Sequence, residues 1–150
     1  MMIDKTVGES LEEFHEAYGK GWDLPGVDLL ILRRKLIKEE YEEVMAELDK
    51  LIMLEATYEQ ALGEAPEDGH LLLYAKIEET NKKLLKELCD LTYVSAGCAH
   101  VLDMNFDGAF AAVHKSNMSK LGEDGKPIYR EDGKVLKGPN YKPAKMDAYV

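Results

Sequence analysis

Cysteine is scarce in this chain, positive charge is outnumbered by negative charge, and no long apolar run occurs. The 150 residues include 19 Lys and Arg against 29 Asp and Glu, which gives a formal net charge of −10. Because phosphate backbones attract basic surfaces, this balance argues against a nucleic-acid polymer as partner. It leaves a single nucleotide open as a ligand, since metal ions can bridge an acidic protein and an acidic ligand.

The two cysteines, Cys89 and Cys98, fall in one predicted helix. About 13.5 Å of helix rise separates them, which is too far for a disulfide. We therefore expect buried free thiols and a reducing cytoplasm. Residues 1–8 have no apolar core of the signal-peptide type, and the least polar run, residues 88–102, is too short to span a bilayer. A soluble cytoplasmic protein is the expectation.

Several familiar site motifs are also absent from the sequence. Without GxxxxGK[ST] an ordinary P-loop is excluded, and no CxxC pair or HExxH suggests zinc. A carboxylate-bridged di-iron bundle would need Glu-x-x-His pairs on two helices. The chain offers one such pair, Glu12-x-x-His15, because neither His100 nor His114 follows a glutamate at this spacing. The di-iron class is therefore a weak alternative.

Apolar periodicity predicts an all-α fold with four or five helices. The helices are expected over about residues 8–18, 29–61, 70–102 and 107–121. The third is apolar on all sides from Leu88 onward, which predicts a buried central helix, and Asp107 could cap the fourth. Residues 128–136 suggest a short hairpin with an Asp-Gly turn. We predict a helical domain over residues 1–121 and an extended C-terminal arm of the same domain over residues 122–150.

Two acidic clusters fall inside the second and third predicted helices. Residues three or four apart are neighbours on a helix, so Glu39 and Glu40 lie beside Glu43, and Glu87 lies beside Asp90. If the two helices pack together, five carboxylates converge and repel one another unless cations fill the space. Hard divalent cations with oxygen ligands suit such a site. Taken alone, the first cluster is typical of a solvated helix face.

Asp90 makes the second cluster more informative. It lies among apolar neighbours, in a segment that favours burial. Burying an unpaired carboxylate costs several kcal/mol, so Asp90 needs a partner. That partner is either a lysine, such as Lys83 or Lys86, or a metal ion shared with the first cluster.

The two acidic motifs resemble the EExxE…ExxD signature of the all-α NTP pyrophosphatases, the MazG and dimeric dUTPase superfamily. In this sequence they read Glu39-Glu40-x-x-Glu43 and Glu87-x-x-Asp90. Residues 44–86 separate them, a longer stretch than is usual in the family. We interpret the excess as extra turns at a hairpin tip, around residues 55–74, away from the site.

The C-terminal third extends this resemblance. The segment HKSNMSK, residues 114–120, is similar to the one that closes the catalytic helices in the MazG-like dUTPase branch. That branch also resembles phosphoribosyl-ATP pyrophosphohydrolase. The later Asp132-Gly133-Lys134, Lys137 and Tyr141-Lys142-Pro143 look like the tail of the same branch.

The resemblance implies hydrolysis of a nucleoside triphosphate, with dUTP first, to the monophosphate and pyrophosphate. Two or three Mg²⁺ ions, for which Mn²⁺ can substitute, would be held by the five carboxylates and would lower the pKa of a bound water. Glu40 and Glu43 are the candidate catalytic carboxylates, and the position of Glu40 favours it as the base that takes the proton from water. A homodimer or homotetramer is expected, since a long helical hairpin has more apolar surface than one short bundle covers.

Polar residues beyond the metals are assigned to substrate binding. Asn117 and Lys120, one helical turn apart, would contact sugar or phosphate. Arg130, Lys134 and Lys137 would fold over the triphosphate as a lid. The alternative for these cations is an exposed basic tail with no role in the reaction.

Aromatic residues are the candidates for a base pocket. Phe14, His15 and Trp22 could stack on the base, although Phe14 also suits the core and Trp22 its loop. Tyr93, one turn after Asp90, could bond to a metal-binding carboxylate. The non-enzymatic alternative is an acidic helical interaction protein whose carboxylates are all solvated.

Overall fold

The structure is a computed structural model that describes residues 5–19, 24–62 and 67–150. Across these ranges it contains four helices and no β-strand, which confirms the all-α class. They are α1 (Val7–Tyr18), α2 (Gly26–Ala61), α3 (Glu67–Val101) and α4 (Phe106–Met118). Among them, none combines the length and apolar character needed to cross a membrane. Trp22 lies outside the described residues.

The chain forms two compact units. The terminal unit contains Met1–Tyr18 and Ala99–Val150, and the hairpin unit contains Gly19–Cys98. Helices α1 and α4 belong to the terminal unit together with the arm. Helix α2 and nearly all of α3 form the hairpin unit.

In the hairpin unit, α2 and α3 pair in an antiparallel arrangement. Near their junction the His70 ring hydrogen-bonds through Nε2 to the Ala61 carbonyl oxygen at 2.8 Å. About five turns further from the junction on each helix, Glu43 hydrogen-bonds to Glu87. The two helices extend almost equally far from the junction, so residues 44–86 are divided about evenly between them.

The predicted burial of α3 from Leu88 onward is confirmed only toward the end of the helix. Ala96 and Val101 are buried, with 0% and 4% of their surface exposed, but Leu88 is 44% and Tyr93 is 38% exposed. The predicted burial of the thiols is wrong for Cys89, which is exposed. A two-helix hairpin has one seam, so side chains on the outer faces of both helices remain uncovered.

The predicted cap of α4 is also wrong. Asn105, not Asp107, caps this helix, and its side chain accepts a hydrogen bond from the Gly108 N–H at 2.9 Å. The Asp107 carboxylate instead accepts hydrogen bonds from the Thr6 hydroxyl at 2.7 Å and the Gly8 N–H at 3.2 Å. Because helix N-termini favour negative charge, Asp107 ties the start of α1 to α4.

The C-terminal arm folds back on α4. The predicted hairpin is present as a single antiparallel bridge, Tyr129 with Val135, and Gly133 supplies the left-handed turn with φ +82°. The Gly138 N–H donates to the Lys120 carbonyl oxygen at 2.9 Å. These contacts make the arm an ordered part of the terminal unit.

Replacing Gly138 with alanine should loosen the arm. A Cβ atom at this position would lie 2.7 Å from the Lys120 carbonyl oxygen and would also meet the Leu121 carbonyl oxygen. Because neither backbone group can swing aside, we expect Gly138→Ala to lower the free energy of unfolding by about 1–3 kcal/mol. Denaturant titration measures this change. Gly26→Ala is the control, since its Cβ would meet open space, and an equal loss there would contradict the steric explanation.

Candidate functional site

Three carboxylates converge on the seam of the hairpin unit. Glu40 of α2 and Glu87 and Asp90 of α3 each offer one oxygen, and these three oxygens all lie within 4.8 Å of one another. The Glu-x-x-Asp spacing of α3 brings its two carboxylates to one helix face, one turn apart. All three residues are half-buried.

A fourth carboxylate, Glu43, joins this cluster. Its hydrogen bond with Glu87, followed by the charges of Glu87 and Glu40, raises the pKa of Glu43 above its ordinary value. Carboxylates this close to one another repel when both are ionised. The cluster therefore holds more negative charge than it can accommodate without a proton or a cation.

Lys86 supplies one cation. Its Nζ lies 2.8 Å from Asp90 Oδ2 and 3.0 Å from Glu87 Oε2, and these hydrogen bonds raise the pKa of Lys86. Lys86 is thus a structural partner of Asp90, as the sequence allowed. The predicted burial of Asp90 is wrong, because 39% of its side chain is exposed. One ammonium group still faces four carboxylates.

The Glu40 side chain provides the second observation that points to a cation. Its Oε2 atom is buried and has no hydrogen-bond partner in the described part of the chain, and Glu47 Oε2, two turns further along α2, is in the same condition. Buried polar atoms are nearly always paired, so each such oxygen calls for a partner, which can be a cation or an ordered water.

The spacing of the cluster also fits a divalent ion. Two oxygens bound to one Mg²⁺ at about 2.1 Å lie at most about 4.2 Å apart, and those around a larger ion at about 2.4 Å lie up to about 4.8 Å apart. The three oxygens already lie within the larger of these limits, and small side-chain rotations would bring them within the limit for Mg²⁺. The residues present therefore fit a hard divalent metal.

Glu39 and Tyr93 lie on the same two helices as the cluster. Glu39 is outside the group of three converging oxygens, and its carboxylate lies 3.7 Å from Lys35 Nζ. Tyr93 follows Asp90 by one turn of α3. Their roles as metal ligand and supporting hydroxyl stay predictions.

Several predicted substrate-binding residues lie in the terminal unit. Lys120 Nζ donates to Asn117 Oδ1 at 2.8 Å, so these two side chains are neighbours as their spacing predicts. Arg130 is paired with Asp132, which raises the pKa of the guanidinium and lowers that of the carboxyl. Lys137 Nζ lies 4.5 Å from the centre of the Tyr141 ring.

Phe14 and His15, the two base-pocket candidates that lie among the described residues, belong to α1. His15 is buried, with 4% of its surface exposed, its Nδ1 is 2.8 Å from the Leu11 carbonyl oxygen, and its ring stacks on His100 at 4.8 Å. Phe14 is 39% exposed and meets the edge of the His15 ring. Their role in base binding stays a prediction.

Comparison with known families identifies the class of protein. A family model described as phosphoribosyl-ATP pyrophosphohydrolase matches residues 2–117. The chain belongs to this family. No curated protein gives a significant match. The match includes both acidic motifs, and membership of a pyrophosphohydrolase family indicates a nucleotide pyrophosphohydrolase.

One feature of this family member was missed by sequence reasoning. A groove of about 560 Å³ runs along the hairpin unit and is lined by Arg33, Ile37 and Tyr41 of α2 and by Leu91 and other residues of α3. Tyr41 and Leu91 directly follow two of the converging carboxylates in sequence. The seven-residue spacing from Arg33 to Glu40, two helical turns, is the signal that could have drawn attention to this face.

The charge repulsion at Glu43 should be visible in a pH titration without metal. A carboxyl whose pKa is raised in the folded state stabilises the protein below its ordinary value of 4.5, and that contribution is lost as the pH rises through the raised pKa. In chelator, the melting temperature should therefore fall across this window. Glu43→Gln should remove this component and should melt at or above the wild-type temperature at pH 7.5.

Glu42→Gln is the matched control for this experiment. Glu42 lies in the same acidic run, but its carboxylate is 3.5 Å from Lys38 Nζ and is exposed. This variant should keep the wild-type pH profile. Identical profiles for Glu43→Gln and the wild type would contradict the repulsion.

Proposed function

We propose that this protein hydrolyses a nucleoside triphosphate to the monophosphate and pyrophosphate at the carboxylate cluster of the hairpin unit, with Mg²⁺ or Mn²⁺ as cofactor. The observation that carries the proposal is the convergence of Glu40, Glu87 and Asp90, together with a buried Glu40 oxygen that has no hydrogen-bond partner among the described residues. The family match supports the reaction class. A solvated helix face would leave its carboxylates apart and hydrated.

Each carboxylate has a distinct role in this proposal. Glu40, Glu87 and Asp90 would hold the first metal ion, with Glu39 as a further ligand. Bound Mg²⁺ supplies positive charge for the phosphates and makes water more acidic. Glu43 lies outside the group of three oxygens and is exposed, so its carboxylate is available to take a proton from the attacking water. Glu40 is the alternative base.

Positively charged groups would orient the phosphates. Asn117 and Lys120 would contact phosphate or sugar, and the arm cations Arg130, Lys134 and Lys137 would close over the triphosphate. Arg130 must then exchange its Asp132 partner for phosphate. A guanidinium group can form two parallel hydrogen bonds with a carboxylate or with a phosphate, so both are suitable partners.

Two substrates are candidates. The similarity of residues 114–120 and 132–134 to the dUTPase branch favours dUTP, whereas the name of the matching family favours phosphoribosyl-ATP. The family match ends at residue 117 and so does not include the arm. Both reactions break the bond between the α- and β-phosphates and release pyrophosphate.

A substrate panel tests the reaction and its substrate. We expect pyrophosphate and the monophosphate from dUTP with Mg²⁺ or Mn²⁺, and none in chelator, with products assigned by ³¹P NMR. The other deoxynucleotides, UTP and phosphoribosyl-ATP complete the panel. If dUTP is no better than dCTP or dGTP, the substrate assignment is wrong while the reaction class stands. If no member releases pyrophosphate, the reaction class is wrong.

Single carboxamide variants test the cluster. Glu40→Gln, Glu43→Gln and Asp90→Asn should each lower kcat by about 100-fold or more, because Glu40 and Asp90 would hold the metal ion and Glu43 would accept the proton from the attacking water. Calorimetric titration with Mn²⁺ should also show weaker binding for Glu40→Gln and Asp90→Asn. Glu42→Gln should retain activity and metal affinity. Near-normal turnover by a folded Asp90→Asn variant would refute the site, and non-saturating millimolar Mn²⁺ binding by the wild type would favour the non-enzymatic interaction protein.

We also propose that two or more copies associate through the hairpin unit. Leu30, Ile52, Leu72 and Leu85 are 50%, 66%, 61% and 64% exposed. Water contact with so many large apolar side chains is unfavourable, and large exposed apolar patches mark interaction sites. Light scattering should give at least twice the chain mass of 16.9 kDa. A monomer at micromolar concentration would rule out the association.

A further inference from the structure

A cavity in the terminal unit carries positive charge that no role so far explains. It has a volume of about 470 Å³ and lies between α4 and residues 142–149. Lys115, Lys142 and Lys145 line it together with Ser116 and Ser119. Alanine side chains, Pro143 and the Tyr149 ring complete its wall, and no carboxylate lines it.

Hydrogen bonds hold the arm in place along this cavity. The Ser116 hydroxyl donates to the Lys142 carbonyl oxygen, and the Lys142 N–H donates to Ser119 Oγ, both at 2.8 Å. Further along the arm, the Asn105 N–H donates to the Tyr149 carbonyl oxygen at 2.9 Å. The Tyr149 ring also packs closely against Gly108, because a Cβ atom on this glycine would lie only 2.8 Å from the ring. The cavity is therefore a built feature of the unit.

All three lysines are exposed at the rim of the cavity and have no carboxylate partner within the part of the chain that the structure describes. In the described ranges of the chain, none of the ion pairs includes Lys115, Lys142 or Lys145. This is notable in a protein with a net charge of −10. A neighbouring cavity of about 400 Å³ shares Lys115 and Lys142. Like charges around one space repel, and an anion placed among them relieves that repulsion.

We propose that this lysine cavity binds a phosphate-bearing anion. Ammonium groups bind phosphate as point charges through charge-assisted hydrogen bonds, and the volume suits a small ligand. The apolar wall and the Tyr149 ring would contact an organic part of the ligand. Free phosphate or pyrophosphate and a nucleoside monophosphate share the required chemistry. The site needs no metal, so it stands or falls independently of the carboxylate cluster.

The test is anion binding by the full chain in chelator at low ionic strength. Without metal, the carboxylate cluster repels anions, so saturable binding must come from cationic groups. Pyrophosphate, orthophosphate and deoxyuridine monophosphate are titrated separately by calorimetry. We expect one saturable site whose affinity falls as salt is added. Tighter binding of the nucleotide than of orthophosphate would identify a nucleotide as the ligand, and equal or weaker binding would identify the free anion.

Paired variants locate the site. Lys115→Gln combined with Lys145→Gln should weaken binding by about tenfold or more, because two of three charges are removed. Lys126→Gln, a lysine outside the cavity, should bind as the wild type does. The pair Lys134→Gln and Lys137→Gln tests the arm cations assigned to the triphosphate. Lys115 lies in the last turn of α4, so its substitution can also change the stability of this helix. Lys145→Gln alone avoids that effect, because Lys145 lies outside the helices.

Two outcomes would overturn the proposal. One is the absence of saturable anion binding in chelator by the folded wild-type protein. The other is binding that the arm pair abolishes and that both the cavity pair and Lys145→Gln leave unchanged. Circular dichroism of each variant establishes that the helices are retained.

Discussion

The antiparallel seam between α2 and α3 is the constraint on which the candidate site depends. Each helix alone carries an unremarkable row of acidic side chains that water would solvate. Pairing in this register brings Glu40 and Glu43 to Glu87, so that like charges face one another. Hydrophobic burial of Val44 and Ile77 along the same seam opposes the repulsion. The protein thus uses packing energy to hold charge that favours a cation.

Local patterns were sufficient to predict the helices and the acidic pair of motifs. Helix boundaries followed from apolar periodicity and from Gly and Pro positions, and the three-residue spacing placed Glu87 and Asp90 on one face of α3. Burial was predicted less well, because it depends on how many neighbours a helix has. The apolar run after Leu88 suggests a central helix, whereas a hairpin with one seam leaves Leu88 and Tyr93 exposed.

Contacts between distant parts of the chain were beyond sequence reasoning. Asp107 looked like a local cap, but its hydrogen bonds reach Thr6 and Gly8 about a hundred residues away. The lysine cavity is similar, since Lys115 and Lys145 meet only because the arm returns to α4. No periodicity or spacing in one segment encodes such meetings. They follow from the tertiary fold, and sequence patterns predict the class of that fold but not its long-range contacts.

The equal extension of α2 and α3 from their junction has a consequence for how this architecture can vary. Because the helices run antiparallel, equal numbers of residues can be added to or removed from α2 and α3 at their junction. Such a change does not alter which side chains meet near Glu40 and Asp90. An unbalanced change would slide one helix past the other and separate the carboxylates. The junction end can therefore change in length, and acquire binding surfaces of its own, while the carboxylate cluster keeps its geometry.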